Sequence, residues 1–164
     1  MISSKMQKAL NKHLNEELKS SYLYLSMAAY FEDKNLKGFS NWMKLQSQEE
    51  YGHAMKFYSY ILQVGSKVTL NQIDVPKSTW KNHTEVFKET LDHERLITDM
   101  INKLVDLAIL EKDHATHNFL QWFVNEQVEE VSTAEDIVNK LELVGDNRNG
   151  LFMLDRELGS RTTA

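Results

Sequence analysis

The chain has 164 residues, a length that fits one domain with a sizeable core. Hydrophobic residues make up 41% and charged residues 26%, which excludes a disordered chain, and the net charge of −5 disfavours nucleic acid or an anionic membrane as a partner. No apolar run suits a secretory signal or a membrane span, and the lack of cysteine excludes disulfides and thiolate metal sites. We therefore expect a globular cytoplasmic protein.

Scarce proline and long apolar periodicity predict an all-α chain. The one proline is Pro76. The predicted helices cover residues of about 5–33, 38–64, 82–110, 114–145 and 151–158. The segment from Ser4 to Gln7 resembles a capping box, Gly65 suits a helix C-terminus, and Asp113 is a good N-cap for the fourth helix.

The lengths of the links predict how the helices are connected. The first and second helices, and the third and fourth, are joined by short turns, so each pair should form an antiparallel hairpin. The second link has about sixteen residues and can span ~50 Å, whereas a helix of about 27 residues is only ~40 Å long. We therefore predict a four-helix bundle (about residues 5–145) with one long crossover and a short C-terminal fifth helix, forming a single domain over residues 1–164.

Each long helix carries an apolar stripe at the 4-3 spacing of a bundle seam, and polar residues interrupt every stripe near its middle. The interrupting residues are Glu17 in the first helix, Glu50 and His53 in the second, Glu94 in the third, and Gln127 and Glu130 in the fourth. They lie at similar distances from the two short turns, so we expect them to converge on one cavity.

Four buried carboxylates at one level need a counter-charge, since each unpaired one costs several kcal/mol. No Lys or Arg occupies the stripes. Some of these carboxyls are therefore protonated, or cations lie between them, and two divalent cations would balance all four. Oxygen ligands with one imidazole suit iron or manganese better than structural zinc. The alternative is a buried polar layer that only fixes helix register.

Four segments together resemble the non-haem prokaryotic ferritins, within the ferritin-like family. They are NEELKSSYLY around Glu17, QEEYGH around Glu50, DHERLIT around Glu94 and NFLQWFVNEQVEE around Gln127. The resemblance covers nearly the whole chain. It implies ferroxidase activity in a hollow homo-24-mer, in which O2 or H2O2 oxidises Fe2+ and ferric iron is stored as a mineral.

The resemblance also implies roles for individual residues. By position, Glu17, Glu50 and His53 hold the first iron, and Glu50 bridges to a second iron held by Glu94 and Glu130.

Further residues match positions beside that dinuclear centre. Gln127 is expected at the metal site as a hydrogen-bonding or oxygen-positioning neighbour, and Tyr24 either packs in the core or assists the redox chemistry. A third iron site is implied at Glu49, Glu126 and Glu129, with Glu130 shared. The haem-binding relatives carry a Met after the Glu of the second helix and Glu-x-x-His on the fourth. This chain has Tyr51 and the pair Gln127 and Glu130 there, so no haem is expected.

Other histidines and the tryptophans show no pattern of ligands. Surface positions are expected for His13, His83 and His93. Packing or subunit contacts are expected for Trp42, Trp80 and Trp122. Two other functions remain open from the sequence: a small-oligomer di-iron peroxidase or oxidase without storage, and a structural helical module that binds no iron.

Overall fold

The computed structural model describes residues 2–163, which form five α-helices, as predicted. The helices are α1 (Ser4–Asp33), α2 (Lys37–Gln63), α3 (His83–Leu110), α4 (His114–Val144) and α5 (Arg148–Gly159). Each end lies within a few residues of its predicted position. None of these helices combines the length and the apolar character that crossing a lipid bilayer requires.

Side-chain caps explain where the helices begin. The cap predicted at Ser4 is wrong by one residue, because the hydroxyl of Ser3 accepts the hydrogen bond from the backbone N–H of Met6. Asp113 caps α4 as predicted, accepting from the N–H of Thr116. α5 begins three residues before the predicted Leu151, because Asn147 accepts from the N–H of Gly150 and starts the helix there.

The crossover between α2 and α3 runs along α1, as its length predicts. The side chain of Asn11 donates to the backbone oxygen of Lys67 at 3.0 Å. Further along α1, Ser26 donates to the oxygen of Lys77 at 2.7 Å. These bonds carry the chain from one end of the bundle to the other, so α3 starts where α2 starts and the two helices run parallel.

Two apolar clusters fill the two ends of the bundle. One contains aromatic residues of α1, α2 and α3, including Phe31, Phe39 and Phe87. The other contains Leu10 of α1, Phe57 of α2 and the facing residues of α3 and α4. The polar interruptions of the four stripes lie between these clusters, so apolar packing surrounds them along the bundle axis.

α5 is anchored on the N-terminus of α2. The carboxylate of Asp155 accepts from the N–H groups of Gly38 and Phe39 at 2.9 and 3.0 Å, and so supplies the cap that Leu36 lacks. The backbones approach so closely that a Cβ on Gly38 would lie 1.6 Å from the carbonyl oxygen of Asp155. Only glycine fits at this contact.

Replacing Gly38 with Ala should therefore detach α5 from α2. The new methyl group overlaps the Asp155 backbone and the cap is lost, so we expect a loss of about 3 kcal/mol in the free energy of unfolding. Denaturant unfolding in the presence of a chelator measures it.

Gly52→Ala is the matched control, because a Cβ at Gly52 meets nothing within 4 Å. Ala is the better helix former, so this variant should gain about 0.5–1 kcal/mol. Equal stability of the two variants would contradict the close contact at Gly38.

Candidate metal centre

The six polar residues that interrupt the stripes are all buried at the centre of the bundle. Their exposed fractions run from 1% for Glu17 to 7% for Glu130. α1 and α3 each bring one carboxylate, α2 brings Glu50 and His53, and α4 brings Gln127 and Glu130. The structure thus brings these side chains together from all four helices.

Two groups of possible ligands share the carboxylate of Glu50. In the first group, oxygens of Glu17 and Glu50 and a ring nitrogen of His53 lie within 4.8 Å of one another. His53 Nδ1 is 3.2 Å from Glu50 Oε2 and 3.9 Å from Glu17 Oε2. In the second group, oxygens of Glu50, Glu94 and Glu130 meet the same limit. This arrangement offers two neighbouring cation positions with one bridging carboxylate.

The residues expected at the third iron site are only partly brought together. Glu126 forms a group with His53 and Glu130, and its Oε1 is 3.9 Å from His53 Nε2. Glu129 is exposed to solvent. Glu49 is half-buried and forms an ion pair with Arg161 at 2.6 Å. The structure therefore places one of the three expected side chains, Glu126, beside the centre.

Tyr24 and Gln127 both contact Glu94. The fully buried Tyr24 donates its hydroxyl hydrogen to Glu94 Oε1. Gln127 Nε2 donates to the other oxygen, Oε2, and to the hydroxyl of Thr98 at 3.2 and 3.3 Å. These two donors fix the orientation of the Glu94 carboxylate.

His13 is a site residue that the sequence reasoning missed. The prediction of a surface position is wrong, because His13 is 1% exposed and its Nε2 lies 2.8 Å from Glu17 Oε1. Burial lowers its pKa to about 3, so the ring is neutral and Nε2–H donates to the carboxylate. His13 lies four residues before Glu17 on α1, and this i, i+4 spacing was the signal that could have placed the two side chains side by side. The surface prediction is also wrong for His93, which is half-buried and bonded to Ser20.

Gln46 is the second missed residue. It lies on the α2 stripe, one turn before Glu50, and is 1% exposed. Its Nε2 donates to Glu50 Oε1 at 2.9 Å and to Glu130 Oε2 at 2.8 Å. One amide group therefore ties together two carboxylates that belong to the same ligand group.

Burial of the carboxyls controls their protonation. It raises the pKa of Glu17 to about 7, and it raises the pKa of Glu50, Glu94 and Glu130, with neighbouring carboxylates adding to the effect. Burial opposes the charged ring of His53, but the hydrogen bond and charge of Glu50 outweigh it and raise that pKa to about 9.

Within the part of the chain that the structure describes, the four carboxyls have no basic partner besides histidine. Among residues 2–163, no Lys or Arg forms an ion pair with any of them. Glu17 Oε2 also has no hydrogen-bond partner within this part of the chain, although it is fully buried. Such an oxygen is costly unless it binds a cation or a proton. Bound divalent cations would replace the protons that neutralise this cluster.

The family model for the ferritin-like domain matches residues 7–144. The chain belongs to the ferritin family. It is 47% identical over 161 residues to the bacterial non-heme ferritin of Bacteroides fragilis, which covers 98% of this chain and 100% of the relative. It is 37% identical over 162 residues to the bacterial non-heme ferritin of Staphylococcus aureus, with 99% and 98% covered.

Solved structures of ferritins have nearly the same fold. The open pore ferritin of Archaeoglobus fulgidus superposes with a TM-score of 0.98 at 49% identity, covering 99% of both chains. An engineered closed form of that ferritin gives a TM-score of 0.98 at 48% identity over 100% of both chains. The resemblance in the four sequence segments is thereby confirmed at the level of the family and the fold.

Without metal, the protein should become less stable as the pH rises from 6.5 to 9. In this window the folded chain keeps protons on the central carboxyls and on His53 that the unfolded chain has released, so each further rise favours unfolding. The pKa values of His13 and His93 are lowered to about 3 and about 4, so these residues affect stability only below pH 6.5.

Denaturant unfolding in the presence of a chelator, repeated at several pH values, measures how the free energy of unfolding changes with pH. Saturating Zn2+ is the control, because a bound cation displaces the protons and should flatten the dependence. Stability that stays constant or rises between pH 6.5 and 9 without metal would contradict the protonated cluster.

Proposed function

We propose that this protein is an iron-storage ferritin that oxidises Fe2+ at a dinuclear centre formed by Glu17, Glu50, His53, Glu94 and Glu130. The observation that carries the proposal is the sharing of Glu50 between two buried ligand groups that lack a Lys or Arg partner. A buried polar layer that only fixes helix register would need its charges paired within the protein.

Each residue of the centre has a role that follows from its position. Glu17, Glu50 and His53 hold the first Fe2+, and Glu50 bridges to the second, which Glu94 and Glu130 hold. Two Fe2+ ions carry four positive charges and balance the four carboxylates once these have released their protons. The two ions together give up two electrons, which with two protons reduce O2 to H2O2, or H2O2 to water.

Residues around the centre position its ligands. Tyr24 and Gln127 act on Glu94 through their hydrogen bonds, which orient one carboxylate oxygen toward each donor. In this proposal Gln127 is a neighbour of the second iron. The buried hydroxyl of Tyr24 donates to Glu94, a ligand of the same iron. The third iron site of this proposal consists of Glu49, Glu126 and Glu129, with Glu130 shared, and it is supported by Glu126 and Glu130, whose oxygens lie within 4.8 Å of one another.

Storage requires assembly into a shell around a mineral core. The proposal of a homo-24-mer is supported by the full-length superposition on archaeal ferritins. The proposal also includes a cytoplasmic location and no haem, as expected from the sequence. The same dinuclear geometry would equally serve a small-oligomer di-iron peroxidase or oxidase, so assembly decides between the two.

Replacing Glu50 with Ala should lower the initial rate of Fe2+ oxidation by at least about 100-fold. Both irons lose their shared ligand, and even indirect partners of metal ligands are worth about 10–100-fold. Stopped-flow absorbance of the ferric product measures the rate.

Glu135→Ala is the matched control, because this α4 carboxylate is exposed and pairs only with Arg95 at the surface. Its rate should equal that of the wild type. A Glu50→Ala variant that oxidises Fe2+ at the wild-type rate would refute the bridging role.

A purified sample should sediment as a particle of several hundred kilodaltons. Twenty-four copies of a 164-residue chain have that mass, whereas a peroxidase of one or two copies does not. Analytical ultracentrifugation of the metal-free protein measures it. A small species that still oxidises Fe2+ would favour the di-iron peroxidase or oxidase and would refute storage.

A further inference from the structure

Arg161 is an arginine of the C-terminal tail that reaches the edge of the metal centre. Its Nη2 donates to Glu49 Oε2 at 2.6 Å, and its Nη1 donates to Gln46 Oε1 at 3.0 Å and to the backbone oxygen of Trp42 at 3.3 Å. The guanidinium carbon lies 4.5 Å from the centre of the Trp42 ring. The planar group of an arginine is suited to such a combination of carboxylate, carbonyl and aromatic contacts.

The docking of α5 holds Arg161 in place. Arg161 lies two residues after the end of α5, whose Asp155 caps α2 and whose backbone touches Gly38. The backbone oxygen of Arg161 also accepts from the side chain of Asn41 at 3.2 Å. Its side-chain partners and Asn41 all lie on α2, so the tail follows the face of α2 that leads to Glu50.

The contact with Arg161 determines which way the Gln46 amide points. A guanidinium can only donate, so the carbonyl oxygen of Gln46 must face Arg161. The amide nitrogen of Gln46 then faces Glu50 and Glu130, at 2.9 and 2.8 Å. The reverse orientation would direct an oxygen at two carboxyl groups and a nitrogen at a cation.

The carboxylate of Glu49 is paired with the positive charge of Arg161. It stands apart from the group of His53, Glu126 and Glu130, although the third iron site was expected to include it. The ion pair is partly exposed, at 22% for Arg161 and 30% for Glu49. Such pairs are weak enough for another cation to replace the arginine.

We propose that Arg161 is the built-in counter-ion of the third cation site, so that a metal ion binds Glu49 only after the arginine has left it. This inference rests on the proposed function, since it concerns the outermost cation of the same centre. Arg161 acts as a positioning residue: it holds Glu49 away from Glu126 and holds Gln46 in the orientation that links Glu50 and Glu130. Release of the arginine frees both side chains of α2 together.

Crystals of the assembled protein soaked in graded concentrations of Zn2+ test the proposal. Zn2+ is redox-inert, and its anomalous scattering gives the occupancy of each position separately from any oxidation rate. In the wild type, we expect the guanidinium of Arg161 to have moved away from Glu49 in every subunit where Zn2+ binds Glu49. In Arg161→Met, half-occupancy beside Glu49 should need about fivefold less Zn2+, since the competing ion pair is gone.

Two variants complete the comparison. Arg156→Met removes an exposed arginine of α5 and should leave the Zn2+ dependence at Glu49 unchanged. Arg161→Lys keeps the charge but loses the planar group, so its Zn2+ requirement should fall between those of the wild type and Arg161→Met. This conservative variant also serves if Arg161→Met does not fold.

The outcomes separate this inference from the proposed function. Empty positions at Glu17, Glu50 and Glu94 in soaked wild-type crystals would refute the dinuclear centre itself. With those positions filled, the inference on Arg161 is refuted by any of three results. These are Zn2+ on Glu49 with the arginine still bound there, equal Zn2+ requirements in the wild type and Arg161→Met, or no Zn2+ beside Glu49 in any variant.

Discussion

The burial of four carboxyl groups at one level of the bundle is the constraint on which the rest of this structure depends. Carboxylates without a basic partner are costly in an apolar interior, so the fold must compensate elsewhere and neutralise them locally. The two apolar clusters at the ends of the bundle supply the stability. Burial also raises the pKa of each acid, so bound protons remove part of this negative charge.

The donors around these carboxyls are almost all neutral. His13 donates to Glu17, Gln46 to Glu50, and Tyr24 to Glu94, and none of the three brings a positive charge. Neutral donors orient a carboxylate without competing with a cation for its charge. A protein that used Lys or Arg for the same task would neutralise the acids and remove their electrostatic attraction for a metal ion. Arg161 approaches the site at its edge, where it binds Glu49.

Much of the fold and the convergence of the central carboxyl groups could be predicted from the sequence, because both follow from local periodicity. A 4-3 stripe fixes which face of a helix is buried, and the short turns fix which levels of neighbouring helices meet, so Glu17, Glu50, Glu94 and Glu130 could be placed together. The role of Gln46 could not be predicted, since it depends on two carboxyl oxygens from different helices. The prediction for His13 is wrong because the 4-3 stripe of α1 includes Glu17 but not the position one turn before it, which His13 occupies.

The contact between Glu49 and Arg161 was the least predictable feature of the site, because it joins residues 112 positions apart through the docking of a short helix. That docking depends on Gly38 and on the cap supplied by Asp155. A glycine adds nothing to the hydrophobic pattern of a helix, so its contact could not be predicted from that pattern. Cap and ion pair both act on α2, three turns apart. A change in the position of α5 would therefore shift Arg161 along the same helix that carries Glu49 and Glu50. Through this helix, the docking of α5 is connected to the carboxylates proposed to bind iron.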